Sequence, residues 1–279
     1  MIERHYLGLG PKGFHRLHYT EWGSADNPRV VVCVHGLTRN ARDFDRLAEA
    51  LSADFRVVCV DVMGRGESDW APDAADYTPQ QYVSDMNALI ARTGADEVDW
   101  VGTSMGGLFG MSMACQRAAP IRRMVVNDVG PFVPAAALDG IGEYVGNDPL
   151  FEDLQEAESY FRTVHAPFGA LSDEDWKHIT THSVRPEADH YRLKYDPAIG
   201  APYHHGPMED MDLWAEWEAI RCPTLVLRGA DSELLLAETA EQMKHRGPRA
   251  TVVEFPDVGH APALMSSDQI QTVRRWLLA

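Results

Sequence analysis

Residues Gly102-Thr103-Ser104-Met105-Gly106-Gly107 are the stretch of this chain whose chemistry is easiest to read. The apolar run 97–101 precedes them, and 108–118 has the character of a helix. A strand that turns sharply into a helix through G-x-S-x-G forces its serine into a strained corner. The serine Oγ then projects above the sheet, beside the free N–H groups of a helix N-terminus. Glycines flank the corner because a side chain there would collide with the adjoining strand and helix. Ser104 is therefore the candidate nucleophile.

A serine hydroxyl reacts poorly without a base, and the base needs a carboxylate to orient it. Both are found downstream, in the order Ser…Asp…His. Asp231 follows the strand-like run 224–227 in Arg228-Gly229-Ala230-Asp231, which sets a carboxylate at the sheet edge where Ser104 emerges. Asp128, just after Val125-Val126-Asn127, ends another strand and is the alternative acid, with Asp231 preferred. His260 lies in the loop Asp257-Val258-Gly259-His260-Ala261-Pro262, where the preceding glycine leaves the imidazole free to face both serine and carboxylate. Acyl transfer also needs donors for the developing oxyanion. The N–H of Met105 is one, and the N–H of Leu37 in His35-Gly36-Leu37-Thr38 is expected to be the other. His35 is expected to hold that loop by hydrogen bonds rather than to transfer protons.

The elements that must position these groups alternate between strand and helix. Short β-branched runs at 29–34, 55–60, 123–126, 224–227 and 251–255 read as buried parallel strands, and 15–22 as a half-exposed one. Helices are predicted over 41–52, 79–92, 237–246 and 267–278. Thr78 is the expected cap of the second, with Pro79 in its first turn, Gln81 closing a capping box and Gly94 as its stop. Such alternation implies a parallel sheet covered by helices on both faces, with reactive groups gathered at the carboxyl ends of its strands. One interval, 131–220, shows no convincing buried strand. Helices over 151–164 and 173–183 and many aromatic residues make it an expected lid, a second folding domain being the alternative. Residues expected to contact substrate are His35, Trp176, Trp214 and Trp217, although packing inside the insertion competes for each tryptophan. The pair His204-His205 lacks an accompanying ligand pattern and is not read as a metal site.

The net charge of −17 argues against nucleic acid or an anionic membrane as partner. Four scattered cysteines, Cys33, Cys59, Cys115 and Cys222, form neither a disulfide framework nor a metal pattern. With no apolar leader at 1–5 and no spanning stretch, the cytoplasm is the expected compartment.

Taken together, His35-Gly36, the stretch Asp61-Val62-Met63-Gly64-Arg65-Gly66-Glu67-Ser68-Asp69, the corner at Ser104, Gly229-Ala230-Asp231 and Gly259-His260 resemble the α/β-hydrolase fold superfamily, in its lidded serine esterase-like branch. The resemblance implies a mostly parallel eight-stranded sheet flanked by helices, with a helical cap inserted after the sixth strand. Residues 1–130 and 221–279 would form the core domain and 131–220 the cap. It gives Ser104 the role of nucleophile, Asp231 that of acid, His260 that of base, and Leu37 and Met105 those of oxyanion donors. The 61–69 stretch corresponds to a structural turn. Relatives of the haloalkane dehalogenase or epoxide hydrolase kind carry aspartate at the corner, so Ser104 disfavours those activities. Cleavage of a carboxylic ester or related acyl bond of a small, partly apolar substrate by water is the expected reaction. A C–C hydrolase of a diketone from aromatic catabolism, a lactonase and a non-catalytic binding protein are the alternatives. No cofactor or metal is implied.

Overall fold

The computed structural model describes residues 1–204 and 206–279. Strands β1 (Ile2–Gly10) and β2 (Gly13–Trp22) form an antiparallel hairpin. Strands β3 (Val30–Val34), β4 (Arg56–Val60), β5 (Val98–Thr103) and β6 (Ile121–Asn127) follow. Inside the insertion come the short strands β7 (Phe132–Val133), β8 (Leu150–Phe151), β9 (Val184–Glu187), β10 (His190–Leu193) and β11 (Met211–Asp212), and after it β12 (Thr224–Gly229) and β13 (Thr251–Phe255). The main sheet has eight strands in the order β1-β2-β4-β3-β5-β6-β12-β13, parallel from β4 to β13.

The valine-rich strands sit where their side chains can be buried on both faces. Val30, Val32 and Val34 of β3 enter one apolar cluster, whereas Val31 and Cys33 enter the other. Helices α2 (Pro79–Thr93), α3 (Met105–Ala114) and α8 (Ala237–Met243) cover the first face through Met86, Leu89, Phe109 and Met243. Helices α1 (Asp45–Leu51) and α9 (Ser267–Leu278) cover the second through Leu47, Leu51, Val273 and Leu277. Cys33 and Cys59 are fully buried in this second layer as small apolar groups.

Local signals set several boundaries. Thr78 Oγ1 accepts the Gln81 N–H at 3.2 Å, and Gly94 ends α2 at φ +73°. The capping box is not closed, because the Gln81 amide turns to Asp85 Oδ1 and the Leu9 carbonyl instead. The expected helix over 41–52 divides into a 3₁₀ turn, Ala41–Phe44, followed by α1.

Helices α4 (Ala135–Gly142), α5 (Leu154–Val164), α6 (Asp173–Ser183) and α7 (Trp214–Ala219) lie between β6 and β12. The interval is not purely helical. Strands β8, β10 and β9 form a small antiparallel sheet, and β7 pairs with β11 where the chain leaves and returns to the main sheet. These strands have two to four residues each, too short for an alternating pattern to register in the sequence. Among the described residues, no helix is long and apolar enough to cross a membrane.

Candidate active site

Ser104 occupies the corner between β5 and α3 with φ +51° and ψ −116°, a backbone conformation unfavourable for a residue with a Cβ. The surroundings enforce it. A side chain at Gly106 would strike the Val34 carbonyl of β3, and one at Gly102 would strike the Gly106 carbonyl. Trp100, fully buried beneath the corner, donates its indole N–H to Gly106 O at 3.0 Å and fixes the first turn of α3. The Ser104 N–H is held by Asn127 O of β6 at 2.9 Å.

The serine hydroxyl lies 2.8 Å from His260 Nε2, and His260 Nδ1 lies 2.8 Å from Asp128 Oδ2. The carboxylate that meets the imidazole is therefore that of Asp128. Asp231, preferred from the sequence, is exposed, and its backbone N–H caps the Val258 carbonyl at 2.9 Å. The physical reason lies in the turn after β12. Asp128 is fully buried, and its Oδ1 accepts the Gly229 N–H at 2.8 Å while its Oδ2 also accepts the Ser232 hydroxyl at 2.6 Å. The β12 turn thus wraps around the carboxylate from β6 and leaves Asp231 facing solvent. Asn127 completes the assembly from the same strand end. Its Nδ2 donates to Thr103 Oγ1 at 3.0 Å and to Pro262 O at 2.8 Å, joining the serine corner to the histidine loop.

Leu37 and Met105 both border the serine. Met105 opens α3, where the first N–H groups have no intrahelical acceptor. The Leu37 loop is clamped by Arg65, which is fully buried and donates to Leu37 O at 2.9 Å and to Met63 O and Tyr82 Oη at 2.7 Å each. His35 is also fully buried. Its Nδ1–H donates to Gly36 O at 2.7 Å, and its Nε2 accepts the Val62 N–H at 3.0 Å. Burial lowers its pKa to about 4, so it is a neutral strut between two loops. Both ring nitrogens are engaged, and none is left for substrate.

A cavity of about 270 Å³ opens over Ser104 and His260. Its core side includes 36–39, Thr103, Glu233, Leu234 and Ala261, and the insertion supplies among others Ile141, Tyr144, His165 and Phe168. The three tryptophans expected to contact substrate are not among its lining residues. Trp217 is fully buried with its indole N–H on Arg246 O at 3.1 Å, and Trp214 lies beneath the Arg246 guanidinium at 3.7 Å. Trp176 is buried in α6, with Arg162 over its ring at 5.6 Å. All three are used in packing. The insertion also supplies a histidine with little sequence signal: His165 stacks between Phe161 and Phe168, at centroid distances of 5.8 and 4.7 Å. Its Nε2 lies 3.3 Å from Arg39 Nη1. The histidine loop is tied to this wall by the Gly259 N–H on Pro167 O at 2.7 Å.

His204 Nε2 binds the Val145 carbonyl at 3.0 Å, whereas His205 lies outside the described residues. Asp45, His178 and His182 converge between α1 and α6, but Arg42 pairs with Asp45 at 2.6 Å and faces His182 Nδ1 at 3.4 Å.

The fold and this corner define a class, and comparison with known proteins agrees: residues 31–274 match the alpha/beta hydrolase family, and the chain belongs to it. Among curated relatives, the 3-hydroxybutyrate-oligomer hydrolase of Cupriavidus necator is 45% identical over 271 residues, covering 94% of this chain and 92% of its own. A solved protein from Rickettsia typhi superposes with a TM-score of 0.94 at 31% identity, covering 100% of this chain and 99% of its own. An alpha/beta hydrolase from Novosphingobium aromaticivorans does so with a TM-score of 0.88 at 35% identity, covering 99% and 98%.

Proposed function

We propose that this chain is a serine hydrolase that cleaves a carboxylic ester of a small, partly apolar substrate through Ser104, His260 and Asp128. The observation that carries the reading is the continuous hydrogen-bond chain from Ser104 Oγ through the imidazole to the buried carboxylate, 2.8 Å at each step. In this reading His260 Nε2 takes the Ser104 proton as Oγ attacks the acyl carbon. The N–H groups of Leu37 and Met105 receive the oxyanion. The imidazolium, stabilised by Asp128, returns the proton to the leaving alkoxide, and the same imidazole then activates water to release the acyl group.

The name of the Cupriavidus necator relative supports a short oligoester of a hydroxy acid as the substrate class. The cavity suits a molecule of that size, with apolar walls from Ile141, Tyr144 and Phe168. Residues 131–220 act in this proposal as a cap over the core formed by 1–130 and 221–279, with 136–168 forming the outer wall of the substrate chamber.

The test is hydrolysis of p-nitrophenyl butyrate and of the 3-hydroxybutyrate dimer by the wild type and by Ser104→Ala. The wild type is expected to turn over both esters and to be labelled at Ser104 by a fluorophosphonate. The variant should lose labelling and at least about 10⁴-fold in kcat while keeping its melting temperature. Turnover surviving in Ser104→Ala would refute the assignment.

A further inference from the structure

The core wall of the cavity carries one buried charged side chain among the described residues, Arg39, which is only 5% exposed. Its position close to the reacting serine follows from the backbone. Arg39 Cγ and Ser104 Cβ each lie 3.7 Å from the point that a Gly36 Cβ would occupy. Arg39 is not saturated. Its Nε and Nη2 form a two-pronged bond with the Asp43 carboxylate at 2.9 and 2.7 Å, which orients the guanidinium. Nη1 is left over, and its one hydrogen-bond partner among the described residues is His165 Nε2 at 3.3 Å.

That contact also fixes the imidazole. An arginine nitrogen can only donate, so His165 Nε2 must accept, and its proton sits on Nδ1. Burial, then the charges of Arg39 and His260, hold the His165 pKa well below the ordinary histidine value, consistent with this neutral form. The flanking rings of Phe161 and Phe168 leave only the imidazole edge free. Both residues line the cavity, and the second N–H of Nη1 and the Nδ1–H of His165 have no acceptor among the described residues. The cavity's one carboxylate, Glu233, is exposed to solvent and screened, and Asp43 is itself partly exposed.

We propose that Arg39 Nη1 and His165 Nδ1 form a carboxylate subsite, and that the substrates are esters whose leaving alcohol carries a free carboxylate a few bonds from the scissile carbonyl. The proposal rests on the ester-hydrolase reading. In a dimer of a 3-hydroxy acid, that carboxylate carbon lies four bonds from the acyl carbon, within the short span between Ser104 and the Arg39 side chain. The charge-assisted bonds hold the leaving half, and its release as a hydroxy acid frees the subsite.

The experiment compares the 3-hydroxybutyrate dimer as free acid with its methyl ester, using the wild type and Arg39→Met. The wild type should favour the free acid, and the ratio of kcat/KM values, acid over methyl ester, should fall by about 10–100-fold in the variant. A second measurement needs only the wild type: 3-hydroxybutyrate should inhibit p-nitrophenyl butyrate hydrolysis competitively at least about tenfold more tightly than its methyl ester. A wild type indifferent to the charge in both measurements overturns the subsite, as does an equal loss on both substrates in Arg39→Met. Turnover of neither dimer nor p-nitrophenyl ester by the wild type overturns the ester reading itself, and the subsite with it.

Discussion

Replacing Asp128 by asparagine should silence the enzyme, whereas the same change at Asp231 should pass almost unnoticed. The structure gives the reason atom by atom. Oδ1 of Asp128 accepts the Gly229 N–H at 2.8 Å, a buried donor with no ready alternative, so the amide oxygen of an asparagine must face it. The NH₂ group then occupies the place of Oδ2, opposite the Ser232 hydroxyl and His260 Nδ1. Ser232 Oγ already accepts the Leu234 and Leu235 N–H groups at 3.3 and 3.1 Å, so it can accept the amide only by giving up one of them. His260 can adapt only by accepting at Nδ1, which moves its proton to Nε2 and makes it a donor toward Ser104. The geometry survives and the tautomer is wrong. In enzymes built this way that error costs about 10⁴-fold in kcat, equivalent to about 5 kcal/mol of transition-state stabilisation. Asp231→Asn alters an exposed side chain and should change kcat by no more than about twofold. The assay is steady-state hydrolysis of p-nitrophenyl butyrate, with thermal melts to show that both variants are folded. A folded Asp128→Asn variant within tenfold of wild type, or a collapse of activity in Asp231→Asn alone, would refute the reasoning.

Trp217→Ala should act on stability and not on substrate binding, because the ring is fully buried away from the cavity and its indole N–H is bonded to Arg246 O. The expected cost is about 3–5 kcal/mol in urea unfolding, with KM unchanged in the folded fraction; a raised KM at unaltered stability would return this residue to the substrate site. His35 supplies a pH dependence. Its folded pKa is depressed to about 4 by burial, so its contribution is fully present above the unfolded value of 6.5 and is lost as the pH falls from there through 4, where the unfolded chain binds the proton and the folded one does not. The loss over that window is about 3 kcal/mol. Urea midpoints at pH 7.5, 6 and 5 should therefore fall more steeply for the wild type than for His35→Gln, and parallel slopes would contradict the assignment.

The parts of the molecule that were legible in the sequence are those specified by local physics. The runs of valine could be satisfied only by burial on two faces, and Ser104 announced its corner because glycines at 102 and 106 are needed where other strands pass close by. The edge strand β1 escaped notice, since its exposed Ile2, Leu7 and Leu9 interrupt any clear division of faces. The choice between the two aspartates was not a local matter at all. Strands β6 and β12 are adjacent and parallel, so Asp128 and Asp231 both emerge at the same edge of the sheet, and each satisfies every rule of position. What separates them is the turn after β12, where the Gly229 N–H and the Ser232 hydroxyl close on the Asp128 carboxylate and use it as the hub of the loop. A carboxylate that receives two bonds from a neighbouring loop has its orientation fixed before the histidine arrives, whereas an exposed one must order itself against solvent. The same argument applies to Asn127, which preceded Asp128 in plain view. Only the fold reveals that its amide spans the serine strand and the histidine loop, so that the end of β6 both leads into the acid and ties the base's loop to the serine strand.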